Sequence, residues 1–386
     1  MKNILMITSG YLPLPPVKGG AVENLTENYL CHNEQEDNLH FVAYSYGEVE
    51  TEGYEKRNTE YRFIKKNKFL ELTFKIVGKI SFDYLPSYFL YCIKKDIEKR
   101  NEQYDCAIIE NRPKFAIYSK RKICKNIILH AHNEWFGKHP EKIYQSCDKI
   151  IVVSDYMKKK YKNSYTDGKI LSVFNAIDEN NFMPKAAFER NEIASIKKRY
   201  SIPLNDKVIL FTGKIKKEKG ALELLKAFQI LNNEVNDISL VMAGDIVGDK
   251  EFSEKVREIT NNSKIIMTGF IDYDKLPELY IASDVQVIPS QVEDMCPLTA
   301  FEGICANIPQ IVSRSGGIPE IVDGAGAVVL DRGDNFVFKL YKTMRDIITD
   351  EEKINNMIKK QKEKSKEYKN SIFCSRMLEE ISKSCN

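Results

Sequence analysis

Apolar residues gather in short runs, Ile4 to Thr8, Leu39 to Tyr44, Cys106 to Ile109, Ile127 to His130 and Lys149 to Val153, separated by longer stretches of helical period. Unbroken apolar runs suit strands covered on both faces, and their alternation with helices predicts an α/β fold with a doubly wound parallel sheet. A second series starts afresh at Val208 to Thr212 and continues through Leu240 to Ala243, Lys264 to Met267, Val285 to Ile288, Gln310 to Val312 and Ala327 to Leu330. Two Rossmann-like doubly wound domains are therefore expected. The break falls between about Asn175 and Pro203, where Asp178-Glu179-Asn180-Asn181 and the charged Glu189 to Arg199 interrupt the rhythm. We place the domains at 1–180 and 181–365, with 366–386 as a terminal helix returning to the first. In this plan ligands bind at the carboxyl ends of strands, in a cleft that the two domains face.

Composition narrows the class. The 386 residues carry 58 basic and 55 acidic side chains, a net charge of +3, which is no footprint for a polyanion, so nucleic acid is not an expected partner. No apolar run approaches the roughly 18 residues that cross a bilayer, and Met1 to Thr8 is too short for a signal peptide. Nine cysteines without a Cys-x-x-Cys pair read as reduced thiols, and the expected location is cytoplasmic. Charge is uneven: 29 basic and 24 acidic residues in 1–185, against 29 and 31 in 186–386. Within the more basic half, Phe63-Ile64-Lys65-Lys66-Asn67-Lys68-Phe69-Leu70 and the stretch to Ile93 mix apolar and basic residues. That segment reads either as core helices with a solvated basic face or as an interfacial segment at the inner face of a membrane.

Five places carry candidate chemistry. After the first strand, Pro13 to Pro16 and then Gly19-Gly20 precede a helix at Ala21, which is not the Gly-x-Gly-x-x-Gly of dinucleotide sites. The paired glycines can let a phosphate or sugar approach backbone N–H groups at a helix start. His130 and His132 end another strand and alternate onto one side, yet two histidines without a further Cys or carboxylate at ligand spacing do not make a zinc site. Gly213-Lys214 to Lys219-Gly220 sets lysines between a strand end and a helix start, where a diphosphate can sit. In Glu293-Asp294-Met295-Cys296-Pro297-Leu298-Thr299-Ala300-Phe301-Glu302, Asp294 lies on a loop and Glu302 inside an apolar helix, where a carboxylate is costly without partners. Gly316-Gly317 then opens another helix, a second anion-receptive start. Asp272-Tyr273-Asp274 reads as a helix N-cap rather than a metal-binding Asp-x-Asp.

Taken in order, these elements resemble family 4 glycosyltransferases of the GT-B fold over nearly the whole chain. Gly213-Lys214 to Lys219-Gly220 matches the family's Gly-Arg-x(4)-Lys-Gly, and Asp294-x(7)-Glu302 its Glu-x(7)-Glu. Asn175-Ala176-Ile177-Asp178 stands for Asn-Gly-Ile-Asp, Gly19-Gly20 for the N-terminal glycine loop, and His132-Asn133 for a sugar-contacting His-Asn. Asn111-Arg112-Pro113 and His132-Asn133-Glu134-x-Phe136 look like the bacterial branch of spore-coat and surface-polysaccharide transferases. The resemblance implies a retaining, metal-independent hexosyltransferase with no cofactor. Its donor is a nucleotide sugar, UDP-sugar favoured, and its acceptor a hydroxyl of a glycan or lipid-linked acceptor. It makes Lys214, Lys219, Asp294 and His132 catalytic, and Gly19, Gly20, Gly213, Glu302, Glu293, Pro297, Leu298, Thr299, Gly316 and Gly317 donor-binding. The first domain takes the acceptor and the second the nucleotide. Lys214 in place of Arg, Asp294 in place of Glu and Met295-Cys296-Pro297 depart from the pattern, which keeps open a catalytically silent binding or coat subunit, and a sugar-nucleotide epimerase shares the architecture. Glu293 is the alternative to Asp294.

Overall fold

The computed structural model describes residues 1–51, 53–80, 87–133, 140–162, 168–261 and 264–385. The chain divides into two compact units, Met1–Asn175 with Asn370–Asn386, and Ala176–Lys369.

The first unit holds a seven-stranded parallel sheet, built from β1 (Lys2–Ile7), β2 (Leu39–Tyr46), β3 (Thr59–Ile64), β4 (Cys106–Glu110), β5 (Ile127–Ala131), β6 (Lys149–Val152) and β7 (Ile170–Ser172). Their order is β3-β2-β1-β4-β5-β6-β7. Ile4 to Ile7, Cys106 to Ile109 and Ile127 to Leu129 are fully buried, as central strands with helices on both faces require. The last helix, Asn370–Lys383, packs on helix Ala21–Glu36. Tyr29 meets Phe373 edge-on at 6.4 Å, and Lys149 pairs with Glu380 at 2.9 Å.

Two strands of this sheet, β3 and β7, were not expected. β7 has three residues, too few for a periodic signal. β3 has Glu60 and Arg62 in its interior. Arg62 is buried there because its guanidinium donates to Glu60, to Glu102 at 2.8 Å and to the Tyr44 hydroxyl at 2.8 Å. The stretch read as one amphipathic segment starting at Phe63 is thus a strand end followed by helices Lys68–Ile80 and Tyr88–Arg100; residues 81–86 lie outside the described residues. On the first helix Phe69, Leu72 and Ile76 are exposed at 78%, 57% and 53%.

The second unit repeats the plan with β8 (Lys207–Thr212), β9 (Ile238–Ala243), β10 (Ile265–Gly269), β11 (Val285–Ile288), β12 (Gln310–Ser313) and β13 (Val328–Leu330). All pairs are parallel, in the order β10-β9-β8-β11-β12-β13. Its core joins Leu224, Leu225 and Phe228 of helix Ala221–Asn232 to Leu340, Met344 and Ile347 of helix Phe336–Ile348. Each such buried side chain contributes about 1.5–3 kcal/mol. No helix among the described residues is long and apolar enough to cross a membrane.

Candidate active site

In the second unit the strand order reverses between β8 and β11, so the loops leaving their carboxyl ends diverge and open a crevice at the sheet edge. The sequence places its lysine loop after β8 and its acidic loop after β11. Backbone holds the two loops together: Gln291 N–H donates to the Glu218 carbonyl at 2.8 Å. Gly220, at φ 71°, lies so near Pro289 that a Cβ would collide with the Pro289 carbonyl oxygen and stand 2.7 Å from its carbon. Only glycine fits both constraints.

Lys219 Nζ donates to Asp294 Oδ2, and Ser290 Oγ donates to the same oxygen at 3.1 Å. The Asp294 N–H donates to Ser315 Oγ at 3.1 Å, which fixes the loop. Glu293, its neighbour, is turned away: one oxygen pairs with Arg332 and the other accepts the Gly316 N–H. Arg332 also holds the Gln291 carbonyl at 2.9 Å. The loop thus gives its two adjacent carboxylates different partners, Asp294 to the lysine and Glu293 to a scaffold arginine. Lys214 is exposed, with no carboxylate partner among the described residues, and Gly213, at φ 120°, is exposed beside it.

Gly316 has φ 52°, and a Cβ there would collide with the Asp294 carbonyl oxygen and stand 2.7 Å from the Asp294 nitrogen. The expectation of a second anion-receptive helix start needs correcting. The helix Ile318–Val322 is little more than one turn, the Gly316 amide is taken by Glu293, and the Gly317 amide donates to the Asp294 carbonyl at 2.9 Å. These glycines shape the acidic loop.

Pro297 precedes helix Leu298–Cys305, with Leu298 and Thr299 half-buried in its first turn. One turn on, Glu302 is 3% exposed and accepts the Tyr280 hydroxyl at 2.6 Å. That hydroxyl lies 3.0 Å from Thr212 Oγ1 and accepts Gln286 Nε2 at 3.1 Å. Gln286 also donates to the Thr299 carbonyl at 2.9 Å, Gln310 donates to Gln286 Oε1 at 2.8 Å, and Gln361 to Gln310 at 3.2 Å. Burial pushes the Glu302 carboxyl up to about 7, against the pull of the Tyr280 hydrogen bond. Sequence reasoning missed this chain of partners; its one signal is glutamine inside the apolar strands β11 and β12. The Asp272 reading also needs correcting: helix Leu276–Ala282 starts without a side-chain cap, and it is the Asp272 carbonyl that accepts from Lys275 and Leu276, each at 3.0 Å.

In the first unit the order reverses between β1 and β4. The glycine loop follows β1, with Gly19 at φ 69° and Gly20 at φ 112°. The carboxylate beside this helix start is the protein's own Glu23, which accepts Ser9 Oγ at 2.8 Å and abuts the space a Gly20 Cβ would fill. Burial raises the Glu23 carboxyl above its usual range. The Gly19 amide donates to the Pro16 carbonyl at 2.8 Å.

Strand pairing sets Glu110 at the end of β4 opposite His130 on β5. His130 Nδ1 lies 2.9 Å from Glu110 Oε2, the Tyr29 hydroxyl donates to Glu110 Oε1 at 2.7 Å, and His132 Nε2 is 3.7 Å from Oε2. The histidine rings are 4.2 Å apart. Burial opposes the Glu110 charge, but His130 and His132 outweigh it and hold the carboxyl down at about 2. Burial and then His130 lower His132 to about 4, so its ring is neutral near pH 7. The Nε2 atoms of both histidines are buried without a hydrogen-bond partner among the described residues. With Glu110 they present three ligand atoms within 4.8 Å of one another, so the carboxylate that spacing did not offer comes from the adjacent strand. Asn111 Oδ1 accepts the His132 N–H at 3.1 Å and Asn133 Nδ2 at 3.2 Å. Glu134 and Phe136 lie outside the described residues.

Two parallel sheets of seven and six strands, each with its chemistry at the strand-order reversal, define a GT-B protein. The solved structure of HepE from Anabaena in complex with UDP-glucose superposes with a TM-score of 0.75, 14% identity, and coverage of 99% of this chain and 100% of that one, a likeness of fold. Residues 192–364, within the second unit, match the family Glycosyl transferases group 1. It is 22% identical over 378 residues to the putative glycosyltransferase YtcC of Bacillus subtilis, covering 92% of this chain and 86% of YtcC. It is 29% identical over 203 residues to the lipopolysaccharide 1,2-N-acetylglucosaminetransferase of Salmonella typhimurium, about half of either protein at 51% each.

Proposed function

We propose that the protein transfers a hexose-type sugar, with retention at the anomeric carbon, from a nucleotide sugar to a hydroxyl of a glycan or lipid-linked acceptor in surface-polysaccharide assembly. The observation that carries this reading is the Lys219–Asp294 pair at the β8/β11 reversal, with the buried carboxylate of Glu302, suited to ribose hydroxyls, eight residues on in the helix that follows the acidic loop. A donor diphosphate would compete with Asp294 for Lys219, leaving Asp294 to meet the sugar. Lys214 and Lys219 then stabilise the charge that grows on the leaving diphosphate without a metal. Asp294 stays beside the anomeric carbon, and the acceptor hydroxyl attacks the face from which the diphosphate leaves, passing its proton to the departing phosphate. The nucleotide belongs to the second unit and the acceptor to the first, with His132 neutral and able to hydrogen-bond a sugar hydroxyl. UDP is favoured because the like-folded HepE was solved with UDP-glucose. Surface polysaccharide is favoured by the lipopolysaccharide transferase among the relatives.

The exposed stripe Phe69, Leu72 and Ile76, beside exposed Lys65, Lys66 and Lys68, supports peripheral attachment to an anionic membrane. The deciding experiment is a screen of donor hydrolysis and transfer across UDP-, GDP- and ADP-sugars, with and without EDTA, the product anomer read by NMR. Transfer with retention that survives EDTA is expected. Nucleotide binding without turnover would indicate a binding subunit, and an epimerised free donor an epimerase.

A further inference from the structure

Arg112, in the first unit, has no counter-charge among the described residues. Arg112 follows β4 at the point where strand order reverses against β1, and Asn111, at φ 50°, turns the chain there. Its guanidinium carbon lies 4.4 Å from the centre of the Tyr11 ring, on the loop after β1, and 4.6 Å from that of Phe115. Although half-buried, Arg112 makes no side-chain hydrogen bond or ion pair among the described residues. Arg62, the buried arginine of the same unit, spends its donors on Glu60, Glu102 and Tyr44.

The nearby carboxylates do not serve it. Glu110 is engaged by Tyr29 and His130, and Glu23 by Ser9. Withdrawing a guanidinium from water without an acceptor is costly, so such a group marks a place where an acceptor is brought in. Two aromatic rings within cation–π range take none of its N–H groups in a conventional hydrogen bond, so the N–H edge is left for a bidentate partner. Tetrahedral oxyanions fit that edge. The place also fits, since ligands of open α/β sheets bind where the strand order reverses.

We propose that Arg112 is the receptor for a phosphate or diphosphate ester group carried by the acceptor. The inference rests on the reading of the first unit as the acceptor's, and it narrows the acceptor to an anionic one. A lipid diphosphate and a soluble phosphate ester share this chemistry. The test first titrates the full chain with UDP, which reports on the donor side alone. With UDP saturating, citronellyl diphosphate, inorganic pyrophosphate and the neutral citronellyl glucoside are then titrated into wild type, Arg112→Gln and Arg112→Lys. Citronellyl diphosphate should bind wild type about 10-fold or more tighter than the glucoside, and Arg112→Gln should lose about that factor while Arg112→Lys keeps part of it. UDP affinity and melting temperature should stay at wild-type values.

Arg112-dependent binding of citronellyl diphosphate alone supports a lipid-linked acceptor, and of pyrophosphate as well, a soluble or either kind. Wild-type diphosphate affinity in a folded Arg112→Gln, or no preference of wild type for diphosphate over glucoside, overturns the proposal. Failure of wild type to bind UDP would instead count against the transferase reading, and leaves the Arg112 comparison readable.

Discussion

Glu302 makes nucleotide binding a proton-linked event. The carboxyl is buried and titrates near 7, so at pH 6 roughly nine in ten molecules hold it neutral. Ribose hydroxyls that donate to it favour the charged form and draw its pKa back toward the ordinary carboxylate range. Binding should then expel a proton. With a bound-state pKa near 4.5, about 0.75 proton leaves per nucleotide at pH 6.5, and the apparent affinity falls about 10-fold from pH 8 to pH 6. A nucleotide sugar is the right probe, because its doubly esterified diphosphate does not itself titrate in this range. Calorimetry in buffers of different ionisation enthalpy reads the proton count directly.

Glu302→Gln fixes the group neutral, so the proton release should vanish. Its affinity should lie about 10-fold or more below wild type at pH 8, and the gap should narrow by about 10-fold at pH 6. Stability carries the opposite sign. The folded-state pKa is raised, so the folded protein binds more protons than the unfolded chain between about 4.5 and 7, and wild-type stability falls as pH rises through that window. The variant should therefore melt higher than wild type at pH 8, by up to ~3 kcal/mol, and alike at pH 4. A wild-type affinity that is flat from pH 6 to 8, with no buffer-dependent heat, would refute the placement of the ribose at Glu302.

The remaining predictions separate the other parts of the site. Lys219→Ala should lower kcat by about 10² to 10³, and Asp294→Ala should lower transfer while leaving affinity for the free nucleoside diphosphate nearly intact; loss of nucleotide binding in Asp294→Ala would reverse the roles. Gly316→Ala should cost about 1–3 kcal/mol and most of the activity, because the new methyl meets the Asp294 backbone in a left-handed conformation; wild-type melting and turnover would show that the acidic loop does not depend on this contact. Phe69→Asp with Leu72→Asp should reduce sedimentation with anionic vesicles at low salt, and equal partitioning of wild type into anionic and neutral vesicles would count against membrane attachment.

Much of the fold is legible because central parallel strands must be apolar throughout, and both series of runs show as such. β3 escaped for a physical reason. Arg62 reads as a surface residue until Glu102 and Tyr44, from other parts of the unit, neutralise and cover it. The acidic loop is a similar case: spacing could not decide between adjacent Glu293 and Asp294, because the decision is made by Arg332, 39 positions downstream, and by Lys219, 75 upstream.

The histidine pair shows where spacing stops being informative. His130 and His132 read, from the sequence, as lacking a further carboxylate at ligand spacing. Glu110 is twenty positions away, but parallel pairing of β4 with β5 makes it the direct neighbour of His130. In a parallel sheet every neighbour across a ladder is separated by a whole connecting helix, so constellations built at strand ends combine residues whose spacing is set by helix length and carries no chemical signature. Arg112 belongs to the same class. Its lack of a counter-charge among the described residues is a property of what the fold brings to the β1/β4 reversal, and becomes visible only when Tyr11 and Phe115 are seen within 4.4 and 4.6 Å of it.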